Sequence, residues 1–304
     1  MSLPSTRNAT IALLIAAVLW STGGLGVDSS NGEALTIAGT RSLFAIPVLG
    51  LATWVECKRR FVNPVEMLRR PLMWAAAFSY ALMVVCFVIS ARLTFVANTI
   101  LLQYSGPIYV ALLSWPLLRE RIRPTDWIAT GACFLGMLLF FMEKLSPQGM
   151  LGNGVAILSS FGFAGVPLFM RLEQRKRPAD WRGAAASPYV AMLMGNVIAV
   201  VVCAPKMIAA PLSDTQSWIT VAALGVVQIG IAYWLYGSAV GKMPALRSTL
   251  LATIEPVLNP LWVILVKHRT PSKWAVLGGA VIVMSVTGQA IAARRTSTAP
   301  PDLS

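Results

Sequence analysis

From Ala9 to Ala292 the chain is a succession of apolar, charge-poor stretches, each about as long as a bilayer core is thick and joined by short loops. A helix needs about 20 residues to cross that core, fewer where the membrane thins. Ten such stretches are expected, at Ala9–Val27, Ala34–Val55, Leu72–Ala91, Phe95–Leu118, Trp127–Met142, Met150–Arg171, Gly183–Ala204, Gln216–Ala239, Pro244–Val266 and Lys273–Ala292. With 56% apolar and only 12% charged residues, the chain would aggregate in water, and a bilayer is its natural solvent. No sizeable soluble domain fits into the remainder. The expectation is an all-α, polytopic membrane protein with ten transmembrane helices.

The basic residues choose an orientation. With a cytoplasmic amino terminus, 18 of the 25 Lys and Arg fall on the inner side, in runs such as Lys58-Arg59-Arg60 and Arg175-Lys176-Arg177. Six fall outside, and Arg41 lies within a span. This bias follows the positive-inside rule and puts both termini in the cytoplasm. It also accounts for the net charge of +13. No basic run is interleaved with aromatics, so nucleic-acid binding is not expected. Cys57 is placed in an inner loop and Cys86, Cys133 and Cys203 within spans, as small apolar packers without disulfide or metal spacing. No cofactor is implied. The first apolar stretch lacks a small-residue cleavage site and reads as an anchor, and residues 296–304, with Pro300-Pro301, read as a disordered cytoplasmic tail.

A pattern in the fourth stretch returns in the ninth. Thr99-Ile100-Leu101-Leu102 and Pro107 reappear as Ser248-Thr249-Leu250-Leu251 and Pro256, 149 residues later. Pro124-Thr125, Trp127 and Gly131 then return as Pro271-Ser272, Trp274 and Gly278 at an offset of 147, which a two-residue loop deletion reconciles. Duplication of a five-span unit is the simplest explanation, with residues 1–145 and 146–295 as the two copies. Five is odd, so the second copy enters the membrane inverted, as in secondary transporters that alternate access to a site near the midplane. A larger bundle built by duplication alone is the other reading.

A polar solute crossing such a bundle needs converging hydrogen-bonding groups. Helical spacing aligns Asn98, Ser105 and Tyr109 in the fourth stretch and Tyr189, Met192 and Asn196 in the seventh. It likewise aligns Gly225, Gln228, Ala232 and Tyr236 in the eighth, and Ser248, Glu255, Asn259 and Trp262 in the ninth. Each stripe reads equally as helix–helix packing. Two ionisable residues stand inside spans, where a lone charge costs several kcal/mol. Glu255 lies roughly 17 Å from the inner end of its span and Arg41 roughly 10 Å from the outer end of its own, so the two are expected at similar depth. Glu255 either stays ionised opposite Arg41, as a structural pair, or takes up a proton that couples to solute movement. Pro107 and Pro256 sit mid-span, each expected to remove a backbone hydrogen bond and to act as a hinge or a static kink. An intramembrane enzyme would need a nucleophile–base pair, paired aspartates or a zinc motif within spans, and none occurs. The chain also lacks a phosphate-binding loop for ATP.

The string Ala97…Gln103-Tyr104-Ser105-Gly106-Pro107…Leu118-Arg119-Glu120-Arg121 and its partner Ile254-Glu255-Pro256-Val257…Trp274 with Gly278-Gly279 resemble the paired hallmarks of the drug/metabolite transporter superfamily, and more narrowly its ten-helix EamA-type exporters. Leu19-Trp20-Ser21-Thr22 and Thr40-Arg41-Ser42 resemble that family's first two helices, and the Trp20 motif is also similar to the aromatic amino-acid exporter branch. The acidic residue matched by Glu120 in the first half is missing from Lys267-His268-Arg269 in the second. The resemblance implies that Trp20 and Phe163 are cavity residues, ordinary aromatic packing being the alternative. The candidate lining residues are therefore Trp20, Tyr80, Asn98, Gln103, Tyr104, Phe163, Tyr189, Gln228, Tyr236 and Asn259. The implied function is export of amino acids or similar small metabolites across a bacterial inner membrane. A carrier of another solute, such as a cationic drug or nucleotide-sugar, is the alternative.

Overall fold

The structure, a computed structural model, describes residues 6–120, 122–142, 149–178, 181–258 and 272–297. Among these residues every regular element is helical, as a bilayer demands of a chain whose backbone groups must find partners within their own segment. The first half comprises α1 (Thr6–Trp20), α2 (Gly23–Asp28), α3 (Ala34–Arg60), α4 (Pro64–Leu68), α5 (Pro71–Leu93), α6 (Val96–Gln103), α7 (Gly106–Leu118) and α8 (Pro124–Phe141). The second comprises α9 (Met150–Arg175), a 3₁₀ turn at Arg182–Ala185, α10 (Ser187–Ala209), α11 (Thr215–Ala223), a π-helix at Leu224–Ile231, α12 (Ala232–Val240), α13 (Ala245–Ala252) and α14 (Lys273–Ser297).

Among the described residues, eight segments are long and apolar enough to cross a membrane: Arg7–Asp28, Ala34–Arg60, Pro71–Leu93, Val96–Leu118, Pro124–Phe141, Met150–Arg175, Ser187–Ala209 and Thr215–Val240. They coincide with the first eight expected stretches. Residues 259–266 of the ninth stretch lie outside the described residues. The last stretch is α14, which continues to Ser297 and so takes in the first two residues assigned to the tail.

Local chemistry sets the ends. Prolines open α4, α5 and α8, where a missing N–H costs nothing. The α3 helix outruns its expected end at Val55, because Lys58, Arg59 and Arg60 complement the carbonyl end of its dipole before Phe61 turns the chain left-handed at φ 54°. Cys57 is accordingly a buried helix residue and not a loop residue.

The helices pack with an internal regularity. The α3 helix lies on α10 and α8 on α14; α5 lies against both α9 and α10, and the α11–α12 segment lies against both α1 and α3. Apolar side chains such as Ile11, Leu51, Phe78, Leu112, Ile128, Val201, Ile219 and Val276 stay exposed on the periphery. That is far more apolar surface than a soluble monomer leaves uncovered, and it is the surface lipid would cover.

Candidate functional site

Two helices break at matching positions. The segment Val96–Leu118 is interrupted at Tyr104-Ser105 and resumes at Gly106-Pro107. The α13 helix is interrupted at Thr253-Ile254, and helix resumes at Glu255-Pro256. The hydrogen bonds repeat as well: Ser105 N–H donates to Leu102 O (3.2 Å) and Ile108 N–H to Ser105 O (2.9 Å), while Ile254 N–H donates to Leu251 O (3.4 Å) and Val257 N–H to Ile254 O (3.2 Å). Both prolines thus stand in the first turn of a resumed helix. The expectation that each deletes a mid-helix hydrogen bond is corrected, since a first-turn residue has no such bond to lose.

Beside these breaks lies a small cavity of about 40 Å³. The first half contributes Trp20, Arg41, Met83, Val84, Phe87, Gln103 and Tyr104, and the second Phe163, Gln228, Ile229, Tyr233 and Glu255. Close helix contact shapes it. A Cβ on Gly225 would stand 2.4 Å from the carbonyl oxygen of Arg41, so only glycine lets the π-helix approach α3 at the arginine. A Cβ on Gly106 would stand 2.5 Å from the Phe163 ring, and Phe163 in turn packs edge-on to Tyr104 at 5.4 Å.

The aromatic walls interlock. Trp20 meets Tyr233 at 4.9 Å and Tyr236 at 5.5 Å between ring centroids, and Tyr80 meets Tyr233 edge-on at 4.8 Å. Gln103 donates from Nε2 to Ser159 Oγ (3.1 Å), which itself donates to Met83 O (2.9 Å). Arg41, 2% exposed, donates from Nη2 to the Val84 carbonyl (2.6 Å) and lies 5.8 Å from the Phe87 ring centroid. The Tyr104 hydroxyl donates to Glu255 Oε2. Arg41 and Glu255 therefore share the cavity but make no ion pair with each other among the described residues. Nor do these residues contain a group of three or more His, Cys, Asp or Glu able to hold a metal ion.

Of the residues singled out from sequence, Trp20, Gln103, Tyr104, Phe163 and Gln228 line the cavity together with Arg41 and Glu255. Tyr80 and Tyr236 stand behind the lining, against Tyr233 and Trp20. Asn98 is elsewhere, donating to Asn153 Oδ1 (3.1 Å) and Thr94 Oγ1 (3.3 Å), and Tyr189 covers Gly237. Asn259 lies outside the described residues. Sequence reasoning missed Met83, Val84, Phe87, Ile229 and Tyr233. The first three are an apolar wall at helical spacing, indistinguishable from core. Tyr233 was missed for a definite reason. A π-helix holds more residues per turn, so the face shared with Gln228 falls on Tyr233 instead of the regular-helix position Ala232. The flanking Gly225 and Gly230 were the available signal.

The fold and this internal polar cavity define a multi-pass helical membrane protein, with ionisable groups of both signs held inside the bundle. The model of the EamA-like transporter family matches the chain twice, over residues 7–142 and 150–289. The chain belongs to that family. It is 27% identical over 291 residues to an uncharacterized transporter of Archaeoglobus fulgidus, covering 92% of this chain and 95% of the relative. It is 25% identical over 303 residues to the uncharacterized transporter YwfM of Bacillus subtilis, covering 95% and 96%. A solved crystal structure superimposes with a TM-score of 0.75 at 21% identity, over 96% of this chain and all of the other, which is a likeness of fold.

Proposed function

We propose that this protein is a secondary exporter of amino acids or similar small metabolites. In this reading ten spans form two inverted five-span repeats in a bacterial inner membrane, with both termini cytoplasmic, and rocking of the repeats exposes the cavity to each side in turn. The observation that carries it is a cavity lined from both halves, beside two helices that break at positions 149 residues apart. The packing supports the repeat relation. The contacts of α5 with α9 and α10 correspond, on exchanging the halves, to those of the α11–α12 segment with α1 and α3. The double match of one family model is consistent with the same relation. Broken helices at a shared site are a device of transporters that work by alternating access.

Uptake of a labelled amino-acid panel into proteoliposomes, with and without a pH gradient, tests the reading. Saturable transport of at least one member is expected. Its absence for every member, while another metabolite class is carried, would reject amino acids as the substrate class. If proton binding at Glu255 drives transport, Glu255→Gln abolishes the response to the pH gradient; an unchanged response leaves Glu255 a structural residue.

A further inference from the structure

Four side chains around the cavity carry polar capacity that the protein does not use. Trp20 Nε1 and Arg41 Nε, which can only donate, have no acceptor among the described residues, and the amide oxygen of Gln228, which can only accept, has no donor. All three residues are at least nine-tenths buried, with exposures of 5%, 2% and 9%. Glu255, which is only partly buried, uses Oε2 for the Tyr104 hydroxyl and leaves Oε1 without a hydrogen bond among the described residues. Buried polar atoms are rarely left unpaired, because each costs free energy comparable to a lost hydrogen bond. Here two buried donors and one buried acceptor go unused in one cavity, with the second oxygen of Glu255 beside them.

Their signs are sorted. The donors belong to a cation and an indole on α1 and α3, and the acceptors to a carboxylate and an amide from the second half. Arg41 and Glu255 are the charged residues of the lining, and they do not neutralise each other directly. A simple cation entering this space meets Arg41, and a simple anion meets Glu255. A net-neutral solute carrying both charges meets neither penalty if it lies with its anionic end toward Arg41.

We propose, building on the transport reading above, that the cavity binds a zwitterion in one orientation. Its carboxylate accepts from Arg41 and Trp20, its ammonium donates to Glu255 and Gln228, and its side chain lies against Phe87, Phe163 and Tyr233. Arg41 and Glu255 are then specificity residues, selecting for the presence of both poles. Recognition spans both halves, so the bound solute bridges the two units that must move.

The test uses the full-length protein in proteoliposomes. The best-carried member of an aromatic and aliphatic amino-acid panel is competed with its decarboxylated amine and with its N-acetyl acid. Each analogue, lacking one pole, is expected to inhibit about tenfold or more weakly than the parent, since a charged buried group is left unpaired. Arg41→Gln is expected to abolish the advantage of the parent over the amine while keeping its advantage over the N-acetyl acid, and Glu255→Gln the reverse. Arg41→Lys, which keeps the charge, guards against misfolding and retains discrimination against the amine. Equal inhibition by parent and both analogues overturns the proposal and leaves amino-acid transport standing, with water filling the unused bonds. Parallel loss of both preferences in each variant overturns it too. If no amino acid is carried but another solute is, both this assignment and the amino-acid reading fail.

Discussion

Gly225 shows how one residue sets the cavity. Its missing side chain lets the π-helix meet the backbone of Arg41, and with it the wall that presents Gln228. Gly225→Ala places a methyl group 2.4 Å from the Arg41 carbonyl oxygen, closer than atoms tolerate. The helices must part, at a cost of about 1–3 kcal/mol. A lower melting temperature in detergent is expected, together with weaker solute binding; an unchanged Tm would mean that α3 yields freely. The role of Gly225 was not legible in the sequence, where it was simply a small residue on a polar stripe. Glu255 and Arg41 were legible, because charge inside an apolar span is conspicuous without any coordinates. Their separate partners were not, since a carbonyl such as that of Val84 carries no mark of a spare lone pair.

At the level of elements, the paired breaks are the feature with the clearest mechanical consequence. Pro107 and Pro256 open resumed helices, so the interruption precedes each proline and leaves Tyr104 and Glu255 beside it. Pro107→Ala and Pro256→Ala permit a continuous helix through the break. If the breaks flex during the transport cycle, exchange slows about tenfold, a rise of about 1.4 kcal/mol in the barrier, with little change in affinity. Unaltered exchange in both variants would make them static kinks. A second element-level device joins the halves at the loop before α3. Asn31 N–H donates to Ser217 Oγ (2.7 Å), the Asn31 amide to Asp214 Oδ2 (3.4 Å), Thr36 Oγ1 to Ala210 O (2.9 Å), and Lys206 pairs with Glu33 (2.9 Å). The backbone N–H of Ser217 (2.7 Å), then its hydroxyl (2.7 Å), hold the Asp214 carboxyl below its usual value of 3.8. A depressed folded-state pKa stabilises the clasp above the ordinary value and loses that stabilisation as pH falls through the folded one. Hydrogen exchange at residues 31–36, corrected for intrinsic rate, should therefore rise as the pH drops below about 4. In Asp214→Asn it should already be raised at neutral pH and follow pH less; identical profiles would dismiss the clasp.

For the whole molecule, the decisive question is topology. All four cysteines are buried, so the native background is quiet toward impermeant thiol reagents. Ser213→Cys and Lys176→Cys both offer exposed positions. In sealed right-side-out vesicles, Ser213→Cys is expected to label at once and Lys176→Cys only after permeabilisation; the reverse result would invert the proposed orientation. The eight described spans were readable from the amino-acid order because hydropathy is a local property that a bilayer reads one segment at a time. The same holds for the two proline segments, whose repetition is visible without knowing what they touch. Which polar groups meet was set by the three-dimensional packing alone. Asn98 and Tyr189 carried the same helical spacing as Gln228, yet one bonds to α9 and the other covers Gly237. Tyr233 entered the cavity because a π-turn rotated its helix by a residue, and Phe163 stands over Tyr104 because Gly106 leaves it room. Spacing along one helix specifies a face; the direction that face looks depends on how neighbouring helices cross, and that depends on contacts between residues far apart in the chain.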